Sequence, residues 1–189
     1  VTIYEKSGEL GGLIKHAKYA DFKWPMRRYL EYMVRKVREN PNINLRLDCA
    51  PTPDYIEEQN YDVLIAAIGA APAVPSITRT ESAKFMHAVD AFEHEAELGK
   101  RVVVVGGGEI GAETGLYLAK QGHEVMVMCR QPVIAIKSRR VHYYTMFAEA
   151  LEKEPNFSAV LNAVTTEIRS DGITYTDTEG TAHELSCDS

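Results

Sequence analysis

The residues with the clearest chemistry fall in one stretch, RVVVVGGGEIGAETGLYLAKQGHEVMVMCR, from Arg101 to Arg130. Within it, Gly106-x-Gly108-x-x-Gly111 follows an apolar run and opens a helical pattern. Gly106 permits a sharp turn out of a strand, and Gly108 has no Cβ, so a pyrophosphate can approach the backbone. Gly111 lets the helix pack closely on the strand. The N–H groups at the helix start, near Glu109 and Ile110, together with the positive end of the helix dipole, would hold phosphates. Gly107 and Glu113 complete the candidate set. A glycine triplet alone is weak evidence, but strand–turn–helix–strand context makes this one a dinucleotide fingerprint. Glycines placed for packing alone would not require that whole pattern.

The end of the second strand bears on which dinucleotide binds. NAD sites place Asp or Glu there to bond the ribose 2′-hydroxyl, whereas NADP sites use arginine near the 2′-phosphate. Cys129 stands at that position and Arg130 follows, with Lys137, Arg139 and Arg140 in the same loop region. A carboxylate that would repel a 2′-phosphate is missing, and Arg130 offers a charge-assisted contact. The pattern favours NADPH over NADH; a solvated basic loop beside an NADH site is the alternative. A second nucleotide feature is incomplete. Val1–Tyr4 reads as a strand ending at Glu5, which is how a βαβ unit presents a carboxylate to an adenosine ribose. The glycine turn expected ~20 residues earlier is not in the chain.

The elements that must position these groups follow from periodicity. Apolar residues at three- and four-residue steps predict an amphipathic helix over Pro25–Arg38, with Pro25 in its first turn. Its other face, with Arg27, Arg28, Arg35, Lys36 and Arg38, reads as a solvated basic surface. Strands are expected at Ile43–Cys49 and at Asp62–Ile68, the latter an unbroken apolar run of the kind buried on both faces of a parallel sheet. A short helix capped near Thr52 lies between them. Helices are expected at Val89–Leu98, Ile110–Gln121 and Val141–Lys153, and strands at Val102–Val105 and His123–Met128. Ala159–Ile168, Ile173–Thr176 and His183–Cys187 read as a small β-meander.

The chain has 189 residues, a net charge of −6 and three cysteines. The acidic balance argues against a nucleic-acid module. No apolar run reaches the ~18 residues of a membrane span. Cys49, Cys129 and Cys187 are odd in number and scattered, which fits a reducing, cytoplasmic setting and no disulfide scaffold. Neither the six histidines nor the cysteines show metal-ligand spacing, so no metal site is expected, and no residue stands out as catalytic. Val1 opens inside a strand pattern and Ser189 closes where another is about to begin, so both ends read as cuts.

VTIYEKSGELGG, YDVLIAAIGAAPAVPSI and KRVVVVGGGEIGAETGLYLAKQGHEVMVM, in this order, resemble the flavoprotein oxidoreductases with two dinucleotide-binding domains. In particular, they are similar to the C-terminal region of NADH:flavin oxidoreductases of the old yellow enzyme type. That group includes 2,4-dienoyl-CoA reductase, 2-enoate reductases and trimethylamine dehydrogenase. The resemblance implies an α/β fold: a partial FAD- or ADP-binding domain at 1–79, a Rossmann-like NAD(P)-binding domain at 80–184, and a return toward the first domain at 185–189. It implies that Glu5, beside Lys6, bonds the adenosine ribose of FAD or ADP. Gly11 and Gly12 would lie near its pyrophosphate, and the strand ending at Gly69 would pass close to the flavin nucleotide. NAD(P)H would sit on Gly106, Gly108, Gly111 and Glu113 and pass hydride to FAD. By the same resemblance, an iron–sulfur cluster and FMN in a TIM-barrel domain outside this chain would then reduce an activated C=C bond. The rival is a structural ADP-binding module that passes no hydride, as in the amine dehydrogenases.

Cysteine positions discriminate within this resemblance. Glutathione-reductase-like enzymes place CxxxxC after the GG turn, where Gly12-Leu13-Ile14-Lys15-His16 has none. Thioredoxin-reductase-like enzymes place CxxC before the second glycine turn, where Phe85–Leu98 has none. A dithiol reaction needs two thiols in bonding reach. Cys129 is expected to be a buried small residue.

Overall fold

The computed structural model describes residues 1–83, 85–140 and 144–189. It is a mixed α/β fold that divides into two compact units, Val1–Ala71 and Pro72–Ser189.

In the first unit, β1 (Thr2–Tyr4) runs parallel to β2 (Asn44–Arg46), with Ile3 opposite Leu45. A parallel pair needs a crossover, supplied here by a 3-10 segment at Gly12–Lys18 and by α1 (Trp24–Glu39). α1 carries Pro at its start, as the pattern requires. α2 (Pro53–Glu58) is capped by Thr52, whose Oγ1 accepts the Tyr55 N–H at 3.2 Å. The expected strand at Asp62–Ile68 does not form. These residues have no strand partner among the described residues, and Ile65 is 82% exposed. A strand exists by pairing its backbone groups, so apolar composition alone does not make one.

The second unit holds the core. β4 (Arg101–Val105), β5 (Glu124–Cys129) and β6 (Phe157–Leu161) form a parallel sheet in the order β4–β5–β6, with β3 (Thr78–Arg79) in a separate sheet. α3 (Glu109–Lys120) crosses from β4 to β5, and α4 (Tyr144–Lys153) lies between β5 and β6. The first residues expected of α4, Val141–Tyr143, lie outside the described residues. Successive strand residues point to opposite faces. Val102, Val104, Val125 and Val127 pack with Leu118 and Ala119 of α3. Met128 packs on the other side, with Ala163 and Ile173. Both faces are thus covered, as an apolar parallel strand requires.

β7 (Val164–Ile168), β8 (Gly172–Thr176) and β9 (Ala182–Ser186) form the meander, and β3 adds in parallel to β7. Two expectations change here. Ala159–Ile168 is not one strand: Asn162 takes a left-handed φ of 54° and the chain passes from one sheet to the other. Asparagine tolerates that conformation better than most residues. Val89–Leu98 is not one helix but two 3-10 turns, Asp90–Phe92 and Glu95–Glu97. Ala91 and Phe92 are adjacent and both buried, and Glu95 is tied to His123 Nε2 at 2.6 Å. Two short turns meet those anchors. No helix among the described residues is long and apolar enough to cross a membrane.

Candidate functional site

β4 ends at Val105, and the chain turns at Gly106 with φ 120°, a conformation L side chains rarely adopt. The Gly106 N–H donates to the Met128 carbonyl at 2.9 Å, which keeps the turn against β5. Gly108 then caps α3 with extended backbone and no side-chain cap. Its Cβ direction points into space with no atom within 4 Å. The amides of Glu109, Ile110 and Gly111 lie in the helix's first turn, where N–H groups have no intrahelical acceptor. An open cradle, N–H groups without an intrahelical acceptor and a positive dipole end together fit a dinucleotide pyrophosphate.

The remaining glycines serve packing, each with a separate neighbour. A Cβ on Gly111 would fall 1.9 Å from the Gly106 carbonyl oxygen, with Val104 of β4 beyond it. A Cβ on Gly107 would fall 2.5 Å from the Cys129 sulfur. Gly115, which the motif does not single out, sits where a Cβ would fall 2.8 Å from Val127. It is therefore Gly115 that seats the middle of α3 on β5, whereas Gly111 seats its first turn. Glu113 is buried on the same helix, Glu109 is half-buried and Ile110 is exposed. One carboxylate oxygen of Glu109, Oε1, is buried with no hydrogen-bond partner.

Cys129 is buried at the end of β5, and its Sγ donates to the Val133 carbonyl at 3.6 Å. The three cysteines are free, and burial pushes the Cys187 thiol above its ordinary value. Arg130, Lys137 and Arg139 are exposed in the loop that follows β5. Among the described residues, no cluster of His, Cys, Asp or Glu could hold a metal ion.

In the first unit, Glu5 follows β1. Its Oε1 accepts both the Ser7 N–H and the Ser7 hydroxyl at 2.9 Å. The backbone N–H of Ser7 holds the carboxyl below its ordinary value. Glu5 is thus an ionised, oriented acceptor, the chemistry a ribose diol needs. Ser7 was not among the expected residues, although the Glu-x-Ser spacing is its signal. Lys6 beside it is exposed. Gly11 (φ 126°) and Gly12 (φ 48°) form the next turn. A Cβ on Gly11 would fall 2.8 Å from Leu30 of α1, and one on Gly12 would meet nothing. Gly69, with φ 73°, is exposed and follows no strand.

The model of the pyridine nucleotide-disulphide oxidoreductase family matches residues 29–189. The chain is 35% identical over 156 residues to a bilirubin reductase of Mediterraneibacter gnavus, covering 81% of this chain and 24% of that one. It is 30% identical over 184 residues to an NADH oxidase of Thermoanaerobacter brockii, covering 95% of this chain and 28% of that protein. A solved 2-naphthoyl-CoA reductase in complex with 2-naphthoyl-CoA superposes on the whole chain with a TM-score of 0.85 at 28% identity, and the match takes in 28% of that structure's chain. The chain spans about a quarter of the length of the relatives it matches. With a glycine turn of this geometry and a family match over most of its length, the chain belongs to the pyridine nucleotide-disulphide oxidoreductase family.

Proposed function

We propose that this chain is the nucleotide-binding portion of a larger flavin-dependent NAD(P)H oxidoreductase of the old yellow enzyme type. The observation that carries the reading is the open cradle at Gly108 facing the first-turn amides of α3. NAD(P)H held there would supply the hydride, and FAD in the first unit would accept it; the chemistry is the cofactors' own, and the protein binds and aims them. Gly106, Gly107, Gly108, Glu109, Ile110, Gly111 and Glu113 form the nicotinamide-cofactor side, with Arg130 directed to a 2′-phosphate. Glu5, Lys6, Gly11, Gly12 and Gly69 form the FAD side, with Glu5 bonding the adenosine ribose.

The final acceptor is an activated C=C bond, reached through an iron–sulfur cluster and FMN in a TIM-barrel domain of the same protein. The names of two relatives support this choice, since bilirubin and 2-naphthoyl-CoA are both conjugated, unsaturated molecules. The exposed apolar run at 62–68 supports a larger assembly, because a stretch of that composition is stable in water only when covered. No thiol pair takes part: two of the three free cysteines are buried in the second unit, and Cys49 lies in the first.

The test is anaerobic mixing of the full-length protein with NADPH or NADH while the flavin absorbance is followed. Bleaching of the flavin is expected. A flavin that stays oxidised, with ADP recovered from the denatured protein, would overturn hydride transfer in favour of a structural nucleotide module.

A further inference from the structure

The two units differ in charge. Val1–Ala71 holds ten lysines and arginines against ten aspartates and glutamates, whereas Pro72–Ser189 holds eleven against seventeen. The whole net charge of −6 therefore falls on the second unit. Within each unit one surface gathers charge of one sign. On α1, five cations, Arg27, Arg28, Arg35, Lys36 and Arg38, stand against Glu31 and Glu39, and no residue of the helix is buried. Residues 85–99 carry Asp90, Glu93, Glu95 and Glu97 and no lysine or arginine.

A solvated basic face needs no aromatic rings, yet Trp24, Tyr29 and Tyr32 are each about half exposed on α1. Trp24, Arg28, Tyr32 and Arg35 follow one another at helical spacing, so they share a face. The Arg28 guanidinium lies 5.6 Å from the centre of the Trp24 ring. Arg35 and Lys36 lie 5.8 and 5.7 Å from the centre of the Tyr32 ring. The rings thus hold these cations in place. Trp, Tyr and Arg are the residues that dominate binding at protein interfaces, and side chains already held lose less freedom when a partner arrives. In the second unit, the exposed Asp90 and Glu97 line a cleft of about 400 Å³ together with Phe85, Met86, His87 and His94. Arg79 lies 4.4 Å from the centre of the Phe85 ring, so a guanidinium already seats against that ring.

We propose that the Trp24–Arg28–Tyr32–Arg35 face of α1 is an interaction surface whose partner is the acidic cleft at residues 85–97 of a second copy of this chain. Charge complementarity carries the choice of occupant. The helix offers cations propped on rings, and the cleft offers carboxylates beside an exposed ring with no lysine or arginine in its own stretch of chain. Each copy presents both halves. Two copies related by a twofold axis therefore make the contact twice, and the assembly closes. The contact uses none of the candidate nucleotide residues, so it stands or falls apart from the cofactor reading.

The experiment is zero-length carbodiimide cross-linking of the full-length protein, mixed in equal parts from unlabelled and heavy-nitrogen-labelled stock. The reagent joins an amine to a carboxylate in contact with it, here Lys36 to Asp90, Glu93 or Glu97. A link between copies is found with mixed labels, and a link within one copy never is. Mixed-label links are expected at about 0.1 M salt, where charges act over ~10 Å, and are expected to fall about tenfold at about 1 M, where the range is ~3 Å. Arg28→Glu with Arg35→Glu is expected to abolish them, as is Asp90→Lys with Glu97→Lys; all four positions are exposed. Mixing one double variant with the other restores opposite charges across the contact, and mixed-label links between the same two surfaces are expected to return. Links within one copy only, or mixed-label links indifferent to either reversal, would overturn the proposal. So would a protein that forms no mixed-label links and instead sediments with phosphatidylserine vesicles, which would assign the α1 face to a lipid surface. Should a reversal fail to fold, the labels and the salt response of the unsubstituted protein decide the matter by themselves.

Discussion

Two unbroken apolar runs meet opposite fates in this molecule. Arg101–Val105 becomes the edge of a parallel sheet, with Val102 and Val104 buried. Residues 62–68, DVLIAAI, form no strand and are exposed throughout. The difference lies in what surrounds each run. β4 has β5 in register beside it, from Arg101 opposite Glu124 to Val105 opposite Met128, and α3 laid across one face. The run in the first unit has neither among the described residues. A hydrophobic pattern therefore states a demand for burial, and only a paired neighbour converts that demand into a strand. The same contrast holds for the units as wholes. Among the described residues, every buried apolar residue except Ala20 belongs to the second unit.

The two glycine turns give the sharpest way to break this comparison. At Gly111 an added Cβ meets a backbone oxygen at 1.9 Å, and backbone cannot step aside. Gly111→Ala is expected to cost about 3 kcal/mol or more and to abolish measurable NAD(P)H binding, as strain at a tightly packed backbone does. At Gly12 there is no neighbour, and only the left-handed φ opposes a side chain. Gly12→Ala is expected to cost about 1 kcal/mol. Thermal unfolding of the two variants checks the difference. Equal costs would mean that the close approach at Gly111 is relieved without strain.

A second contrast, of similar size, comes from comparing side chains. Phe147 of α4 is fully buried in the second unit, and Phe147→Ala is expected to cost about 3–5 kcal/mol. Ile65 is 82% exposed in the first unit, and Ile65→Ser is expected to stay within about 0.5 kcal/mol in this chain. Denaturant unfolding decides this. A large loss at Ile65 would show that residues 62–68 are covered in solution.

The sequence made the second unit legible because its signals are local. The unbroken valine run Val102–Val105, the glycine spacing and the terminal Gly122 all act within a few residues, and the βαβ unit follows from them. The long-range anchors were not legible. Nothing near Asn162 announces that the chain leaves one sheet for another there; that depends on the Ala163 N–H reaching the Cys129 carbonyl across the sheet. The 3-10 turns at 90–97 depend on His123, far along the chain. At the candidate site, the glycines and Glu5 could be named from type and spacing. The Ala135 contact could not, because alanine carries no chemical signal and its N–H reaches the Gly107 carbonyl through the backbone alone. Ser7 and Gly115 fall between: each has a spacing that supports its place, although neither belongs to the glycine fingerprint.

The smallest expected effect separates two carboxylates, one in each unit. Glu5 lies below its ordinary value because the Ser7 backbone N–H bonds it. Asp188 lies below its ordinary 3.8 because the Arg101 guanidinium bonds it at 2.6 Å, helped by the Arg101 backbone N–H. A carboxyl whose folded value is depressed adds stability above its unfolded value, and that stability disappears as pH falls through the folded value. Asp188→Asn keeps an oxygen acceptor for the Arg101 N–H but removes the charge. The unfolding midpoint of Asp188→Asn is expected to fall slightly below that of the unsubstituted chain at neutral pH. The gap should then close as the pH drops below 3.8. Because the pair is exposed, added salt should narrow the gap as well. Glu5 has no cation as its main partner, so Glu5→Gln should show a gap that closes with acid and persists in salt. A salt response of the same size at both sites would remove the distinction between a carboxylate held by charge and one held by backbone.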